Sequence, residues 1–195
     1  MFPGSWLPDG RSITFNTNDP LNSNPTIAAG GGSFDIGRVT LGDTAVTWLV
    51  KTQFSEAHPQ VSPDGRLLAY ISDRSGRREV YVQPLSGSGV PAQVSSEGAT
   101  SPRWSRDSRT VFYVSAANSI IGATIGPGAG IAIVKRTEIA SRLGLDLNPP
   151  NVNWDLFPDD KPLVIDGSGG QGKRRMALVQ NWPAIARALG DGAKR

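Results

Sequence analysis

One short segment recurs four times along this chain, and that recurrence restricts the fold more than any other feature. Its fullest copy reads Pro59-Gln60-Val61-Ser62-Pro63-Asp64-Gly65-Arg66-Leu67-Leu68-Ala69-Tyr70-Ile71: a short strand, a tight turn, then an apolar strand. Trp6-Leu7-Pro8-Asp9-Gly10-Arg11-Ser12-Ile13-Thr14-Phe15 is a second copy. Pro102-Arg103-Trp104-Ser105-Arg106-Asp107-Ser108-Arg109-Thr110-Val111-Phe112-Tyr113 is a third, and Asn153-Trp154-Asp155-Leu156-Phe157-Pro158-Asp159-Asp160-Lys161-Pro162-Leu163-Val164-Ile165 a fourth. The equivalent aspartates, Asp9, Asp64, Asp107 and Asp159, lie 55, 43 and 52 residues apart. A repeat of ~40–45 residues with several strands in each unit is what the blades of a β-propeller produce.

The turn has its own chemistry. Proline presets φ near about −65° for the first corner, aspartate accepts hydrogen bonds from nearby backbone N–H groups, and glycine takes the positive φ that reverses the chain. Asp9 with Gly10 and Asp64 with Gly65 follow that pattern. In the other copies Ser108 and Asp160 replace the glycine, at a cost on the order of 1 kcal/mol each in a left-handed backbone, so these two turns are open to another shape. After the turn, Leu67, Ala69 and Ile71 point one way and Leu68 and Tyr70 the other. Asp9, Asp64, Asp107 and Asp159 are read as structural turn residues, because a catalytic or metal-binding acid is rarely repeated in register along a chain.

At 195 residues the chain is long enough for one domain with a real core. Its 23 glycines and 15 prolines, set among short apolar runs, indicate turn-rich all-β structure. There is no cysteine, so disulfides and thiolate metal sites are ruled out. No stretch approaches the ~20 apolar residues of a membrane-spanning helix. The start, Met1-Phe2-Pro3-Gly4-Ser5-Trp6, lacks a basic region followed by an apolar run, so no signal peptide is read there. It enters the repeat almost at once, which suggests the back part of something longer or a shortened gene product. The formal net charge is +3. Its clusters, Arg74, Arg77 and Arg78 in one presumed loop and Lys173, Arg174 and Arg175 in another, lack interleaved exposed aromatics, so no nucleic-acid partner is expected.

The expected architecture is a single partial β-propeller over 1–195, with about four blades of four-stranded antiparallel sheet at about 4–52, 55–97, 99–140 and 149–181. Blade four shows only three strands, at 151–156, 162–166 and 174–180. A short C-terminal helix at about 182–190 follows, with Asn181 as cap, Pro183 in its first turn and Ile185, Ala188 and Leu189 on one face.

In blade two, Glu56-Ala57-His58-Pro59-Gln60-Val61-Ser62-Pro63-Asp64-Gly65-Arg66-Leu67-Leu68-Ala69-Tyr70 and then Ser72-Asp73-Arg74-Ser75-Gly76-Arg77-Arg78-Glu79-Val80-Tyr81-Val82 resemble the repeat of TolB-like (WD40-like) β-propellers. The resemblance covers nearly the whole chain. Ser101-Pro102-Arg103-Trp104-Ser105-Arg106-Asp107 and the closing Ala177-Leu178-Val179-Gln180-Asn181-Trp182 resemble the C-terminal propellers of bacterial serine/threonine protein kinases. The resemblance implies a sensing or interaction module with a periplasmic or other extracytoplasmic placement. It does not imply kinase activity, since the glycine-rich kinase loop, a His-Arg-Asp triplet and an Asp-Phe-Gly triplet are all missing from the sequence. Complete relatives generally carry more blades than the four read here.

Several segments imitate chemistry. Gly167-Ser168-Gly169-Gly170-Gln171-Gly172-Lys173-Arg174 nearly spells a phosphate-binding loop, but Arg174 stands where Ser or Thr should ligate magnesium, and Pro183 stops the apolar run that follows. His58, the only histidine, sits in the repeat before Pro59, where a packed or turn-side histidine is expected, and no Gly-x-Ser-x-Gly elbow accompanies it. Asp159-Asp160 lacks the alternating spacing of a calcium loop. No catalytic residue, metal or cofactor is therefore assigned. Trp6, Trp104 and Trp154 precede the repeated turns and are expected to pack between blades; Trp48 falls near an outer strand, and Trp182 is expected to pin the final helix.

The sequence thus predicts a non-catalytic propeller that binds or senses another protein. The alternative is the propeller part of a larger enzyme, a protein kinase or a prolyl-oligopeptidase-type peptidase; a degraded gene product is a third reading. An arc of four blades leaves strand edges and apolar faces open, so the partners expected are another protein, the remaining blades of a larger propeller, or a second copy of the chain.

Overall fold

The repeated turns join antiparallel strands into successive meanders. The computed structural model describes residues 1–18, 34–128, 130–141, 154–166 and 175–178. The first sheet runs β1 (Phe2–Trp6), β2 (Ser12–Asn18), β3 (Phe34–Thr40) and β4 (Thr47–Val50) in that order. The second runs β5 (Glu56–Val61), β6 (Leu67–Ser72), β7 (Glu79–Pro84) and β8 (Ala92–Gln93). The third holds β9 (Ala99–Trp104), β10 (Thr110–Ser115), β11 (Ile120–Ile125) and β12 (Ile133–Ala140). The fourth has three strands, β13 (Trp154–Leu156), β14 (Pro162–Asp166) and β15 (Arg175–Leu178). Every strand pairs antiparallel with its chain neighbour within each sheet. Among the described residues there is no helix, and none therefore long and apolar enough to cross a membrane. The expected C-terminal helix, Trp182 and the glycine-rich loop at 167–174 lie outside the described residues.

Alternation along each strand divides the core into three layers, one at each junction between neighbouring sheets. Leu68 and Tyr70 face the first sheet, packing with Leu7, Ile36 and Val50. Ala69 and Ile71, with Leu67 against them, face the third sheet and meet Trp104, Val111 and Tyr113. Phe112 and Val114, on the other side of β10, meet Trp154 and Val164 of the fourth sheet. Each large apolar side chain fully buried in such a layer contributes about 1.5–3 kcal/mol. A period-two strand between two apolar neighbours must be apolar on both faces, which is why β6 reads as a continuous apolar run.

The inner strands approach closely. β1 lies beside β5, and β5 beside β9. Gly4 makes the first approach possible: a Cβ there would lie 2.5 Å from Thr14 Oγ1 and 2.6 Å from Pro59. Each of the three inner strands also slips register against its partner, between Pro3 and Trp6, between Ala57 and Gln60, and between Thr100 and Arg103.

The turns correct one expectation. Ser108 and Asp160 keep the left-handed backbone of the glycines they replace, with φ of 62° and 60° against 63° at Gly10 and 74° at Gly65. All four turns close with the same hydrogen bond, from Gly10, Gly65, Ser108 and Asp160 N–H to the carbonyls of Leu7, Ser62, Ser105 and Phe157. The reason lies in the neighbouring blade. Ser108 Oγ accepts from Asp64 N–H at 3.0 Å, and Asp160 Oδ1 accepts from Arg106 N–H at 2.9 Å. Those side chains tie adjacent turns together and offset the backbone cost. At Gly65 a Cβ would lie 3.3 Å from Pro8 Cγ, a tight contact beside a left-handed backbone.

A candidate binding cleft beside the inner strands

The repeated aspartates are engaged in their own turns. Asp9 accepts from Arg11 and Ser12 N–H at 2.8 Å each and from the Ser12 hydroxyl. These bonds, the Arg11 N–H first, hold its carboxyl below the usual range. Asp64 accepts from Ser62 Oγ at 2.6 Å and pairs with Arg66 Nε at 2.7 Å. Asp107 accepts from Ser105 Oγ at 2.6 Å and from Arg109 N–H at 3.0 Å, the Ser105 hydroxyl doing most to lower its pKa. Asp159 pairs with Lys161, while Asp160 turns to Arg106, so the two adjacent acids serve different partners. Among the described residues no group of three or more acids or histidines is placed to hold a metal ion.

The arginines of the 74–78 loop separate. Arg74 lies over the rings of Phe54 and Tyr81, at 5.8 and 5.4 Å. Arg77 pairs with the buried Glu79 at 2.8 Å. Arg78 borders a cleft of ≈ 380 Å³ together with His58, Gln60, Arg103, Phe2 and Phe34. Arg77 and Arg78 are exposed and Arg74 half-buried, and each guanidinium has a separate neighbour.

The cleft is built by the register slips. His58 and Ser101 stand at matching places in β5 and β9, each just before a proline, with φ of 54° and 52°. A residue held left-handed in a bulge aims its side chain off the ladder. His58 Nδ1 is buried without a hydrogen-bond partner. Burial, followed by the charges of Arg103 and Arg78, lowers the imidazole to about 4, so it is neutral at ordinary pH. Arg103 is nearly enclosed, its side chain 16% exposed. Its Nε reaches Asp155 Oδ1 at 3.2 Å, its Nη1 donates to Pro102 O at 2.8 Å, and its guanidinium lies 5.8 Å from the Trp154 ring. Burial lowers the pKa of this guanidinium, and Asp155 opposes that shift. Among the described residues no carboxylate lines the cleft. Its apolar part is formed by Phe2, Phe34, Ala57 and Ile71, with the two phenylalanine rings edge to face at 6.0 Å.

Sequence reasoning singled out His58 as a packed histidine but missed Arg78 and Arg103 as a pair. The usable signal was the mismatch at equivalent repeat positions, where Arg103 replaces Gln60 on an inner strand. It also missed Glu56 and Glu79, both fully buried in blade two. Glu79 receives Arg77, Gly98 N–H and Ser95 Oγ. Glu56 receives Thr52 Oγ1 at 2.6 Å and Ser72 Oγ at 3.3 Å on one oxygen, and its other oxygen has no partner. Burial raises Glu56 to about 7, against the pull of those two hydroxyls, and Asp35 adds to the rise.

The tryptophans divide as well. Trp104 and Trp154 are buried between blades, and Trp104 Nε1 donates to Gln60 O at 2.9 Å. Trp6, expected to pack likewise, is exposed, because no described sheet lies against its face of β1. Trp48 lies on β4, edge to face with Phe15 at 6.4 Å.

No family model and no curated protein matches the sequence. Solved structures do. TolB from Acinetobacter baumannii is 15% identical, with a TM-score of 0.64 over 91% of this chain and 40% of its own. A puromycin-hydrolyzing peptidase of Mycobacterium tuberculosis is 19% identical, with a TM-score of 0.61 over 92% of this chain and 29% of its own. The β-propeller domain of the Trilobed protease from Pyrococcus furiosus, described with an open velcro topology, is 15% identical, with a TM-score of 0.53 over 90% of this chain and 52% of that one. The chain spans about half or less of the length of each of these. The fold of this chain is that of the TolB-like β-propellers.

Proposed function

We propose that this chain is a binding module without catalysis of its own, which takes a protein partner on the face where β1, β5 and β9 lie side by side. The observation that carries the reading is the cleft there, which has two guanidinium groups, an apolar floor and, among the described residues, no carboxylate in its lining. Charge of one sign around a concave apolar patch suits recognition of an oppositely charged partner. His58 adds support. A hydrolase histidine needs a carboxylate on one ring nitrogen and a nucleophile on the other, whereas Nδ1 of His58 has no partner.

A photo-cross-linking amino acid placed at Gln60, in the cleft, is expected to capture a discrete protein in the native host. The same residue at Val90, which is 88% exposed on an outer loop, is the control and should not. Equal capture at both positions, or turnover of a peptide or phosphoryl substrate by the purified chain, would overturn the reading.

The second reading, a propeller portion of a larger enzyme, is favoured by the peptidase and protease among the similar structures and by the 29% and 52% of those chains that this one spans. Reading the flanking genomic DNA for a kinase or peptidase frame discriminates the two.

A further inference from the structure

The cleft holds more donors than its own acceptors satisfy. Arg103 meets Asp155 and the Pro102 carbonyl, which leaves part of its five-donor fork over. Asp155 itself lies at the surface, where solvent weakens its hold. The Arg78 guanidinium faces no acceptor among the described residues and is exposed. His58, whose Nδ1 is buried without a partner, borders the cleft as a neutral ring. Beside these groups lie the rings of Phe2 and Phe34, and the amides of Asn16 and Gln60, which can serve both the N–H and the C=O of a peptide unit.

We infer that this cleft seats the C-terminal carboxylate of a partner polypeptide whose last side chain is apolar. The carboxylate is held by Arg78 and Arg103, and the last side chain rests on Phe2 and Phe34. Three features of the cleft choose this ligand over simpler anions. Inorganic phosphate engages the arginines and leaves the apolar floor uncovered. A fatty acid engages both and leaves the amides without partners. A peptide end supplies a planar carboxylate for a guanidinium fork, an apolar side chain on the adjacent carbon, and backbone groups for the amides. This inference rests on the proposed binding function of the same face.

The test uses the whole chain and a fluorescein-labelled hexapeptide ending in leucine, prepared as the free acid and as the C-terminal amide, read by fluorescence anisotropy. The acid is expected to bind saturably and the amide at least about 10-fold more weakly, since the amide lacks the charge that strengthens hydrogen bonds to a guanidinium. Arg78→Gln, at an exposed position that leaves the core intact, is expected to weaken the acid about 5–10-fold without changing the melting temperature. A peptide ending in aspartate should bind more weakly than the leucine peptide. Equal binding of acid and amide, no effect of Arg78→Gln, or displacement of the peptide by inorganic phosphate at equal concentration would overturn the inference. Absence of peptide binding while the Gln60 cross-linker still captures a protein would overturn the terminal-carboxylate inference and leave the binding module standing.

Discussion

Trp6 and Trp104 stand at the same place in their repeats, yet Trp6 is 54% exposed and Trp104 only 8%. The equivalence extends across the strand pairs. Trp6 pairs with Ile13, Val61 with Leu68, and Trp104 with Val111, and in each sheet an aromatic follows, at Phe15, Tyr70 and Tyr113. In sheets two and three this face packs against the preceding sheet. In sheet one no described sheet precedes it, so the face covers itself: Phe15 is buried beneath Trp48, and Lys51 lies 4.8 Å over the Trp48 ring. Identical register therefore gives opposite environments. A strand pattern determines which side chains share a face, and only a second sheet determines whether that face is dry.

The largest expected effect sharpens this contrast. Trp104→Ala removes a buried ring and its hydrogen bond to Gln60 and is expected to cost about 3–5 kcal/mol in denaturant unfolding. Trp6→Ala, at the equivalent position, is expected to stay within about 0.5 kcal/mol. A large loss at Trp6 would break the contrast, by showing that another sheet covers the face in solution. Light scattering on the same sample would then report whether that sheet comes from a second copy.

A second contrast lies within blade two. Glu79 is met by a guanidinium, a backbone N–H and a hydroxyl, whereas Glu56 has two hydroxyls on one oxygen and Asp35 for an electrostatic neighbour. Arg74 is the cation that opposes the rise at Glu56. The folded state raises Glu56 to about 7, above the ordinary carboxyl range, so the native chain holds the proton more tightly than the unfolded one. Its contribution is complete below the unfolded value and is lost as pH rises through about 7. Chemical denaturation at pH 5 and pH 8 should differ by on the order of 3 kcal/mol from this group, with the lower pH more stable. Glu56→Gln should flatten that slope; an unchanged slope would assign the effect to another group.

Smaller effects probe the approach between blades. Gly4→Ala places a methyl within 2.6 Å of Pro59 and is expected to cost about 1–3 kcal/mol through separation of β1 from β5. Gly65→Ala, left-handed and 3.3 Å from Pro8, is expected to cost about 1–2 kcal/mol. Ser108→Gly relieves a left-handed serine but removes the bond to Asp64 N–H, so a net change within about 0.5 kcal/mol is expected. A clear gain in stability from Ser108→Gly would show that the tie between turns contributes nothing.

Much of the fold was legible in the residues. The turns were readable because their bonds are local: Asp9 reaches Arg11 and Ser12, and Asp64 reaches Ser62 and Arg66. The two faces of β6 were readable because alternation is a property of one strand. The left-handed Ser108 and Asp160 were not readable, since what holds them is a partner 44 or 54 residues away. The cleft was equally hidden. Arg78 and Arg103 belong to different sheets, and nothing in either segment announces that they border one space.

By itself, the sequence determined an all-β chain of repeated sheets, the corners of those sheets, and the side on which each strand residue stands. These follow from proline and glycine backbone preferences, aspartate hydrogen bonds and the two-residue period of a strand, all of which act within a few residues. Tertiary structure alone decided which of several equivalent tryptophans is dry, which acid is left with an unpartnered oxygen, and which arginines meet at the cleft. Those outcomes depend on contacts between sheets, where residues far apart in the chain come together and water is excluded.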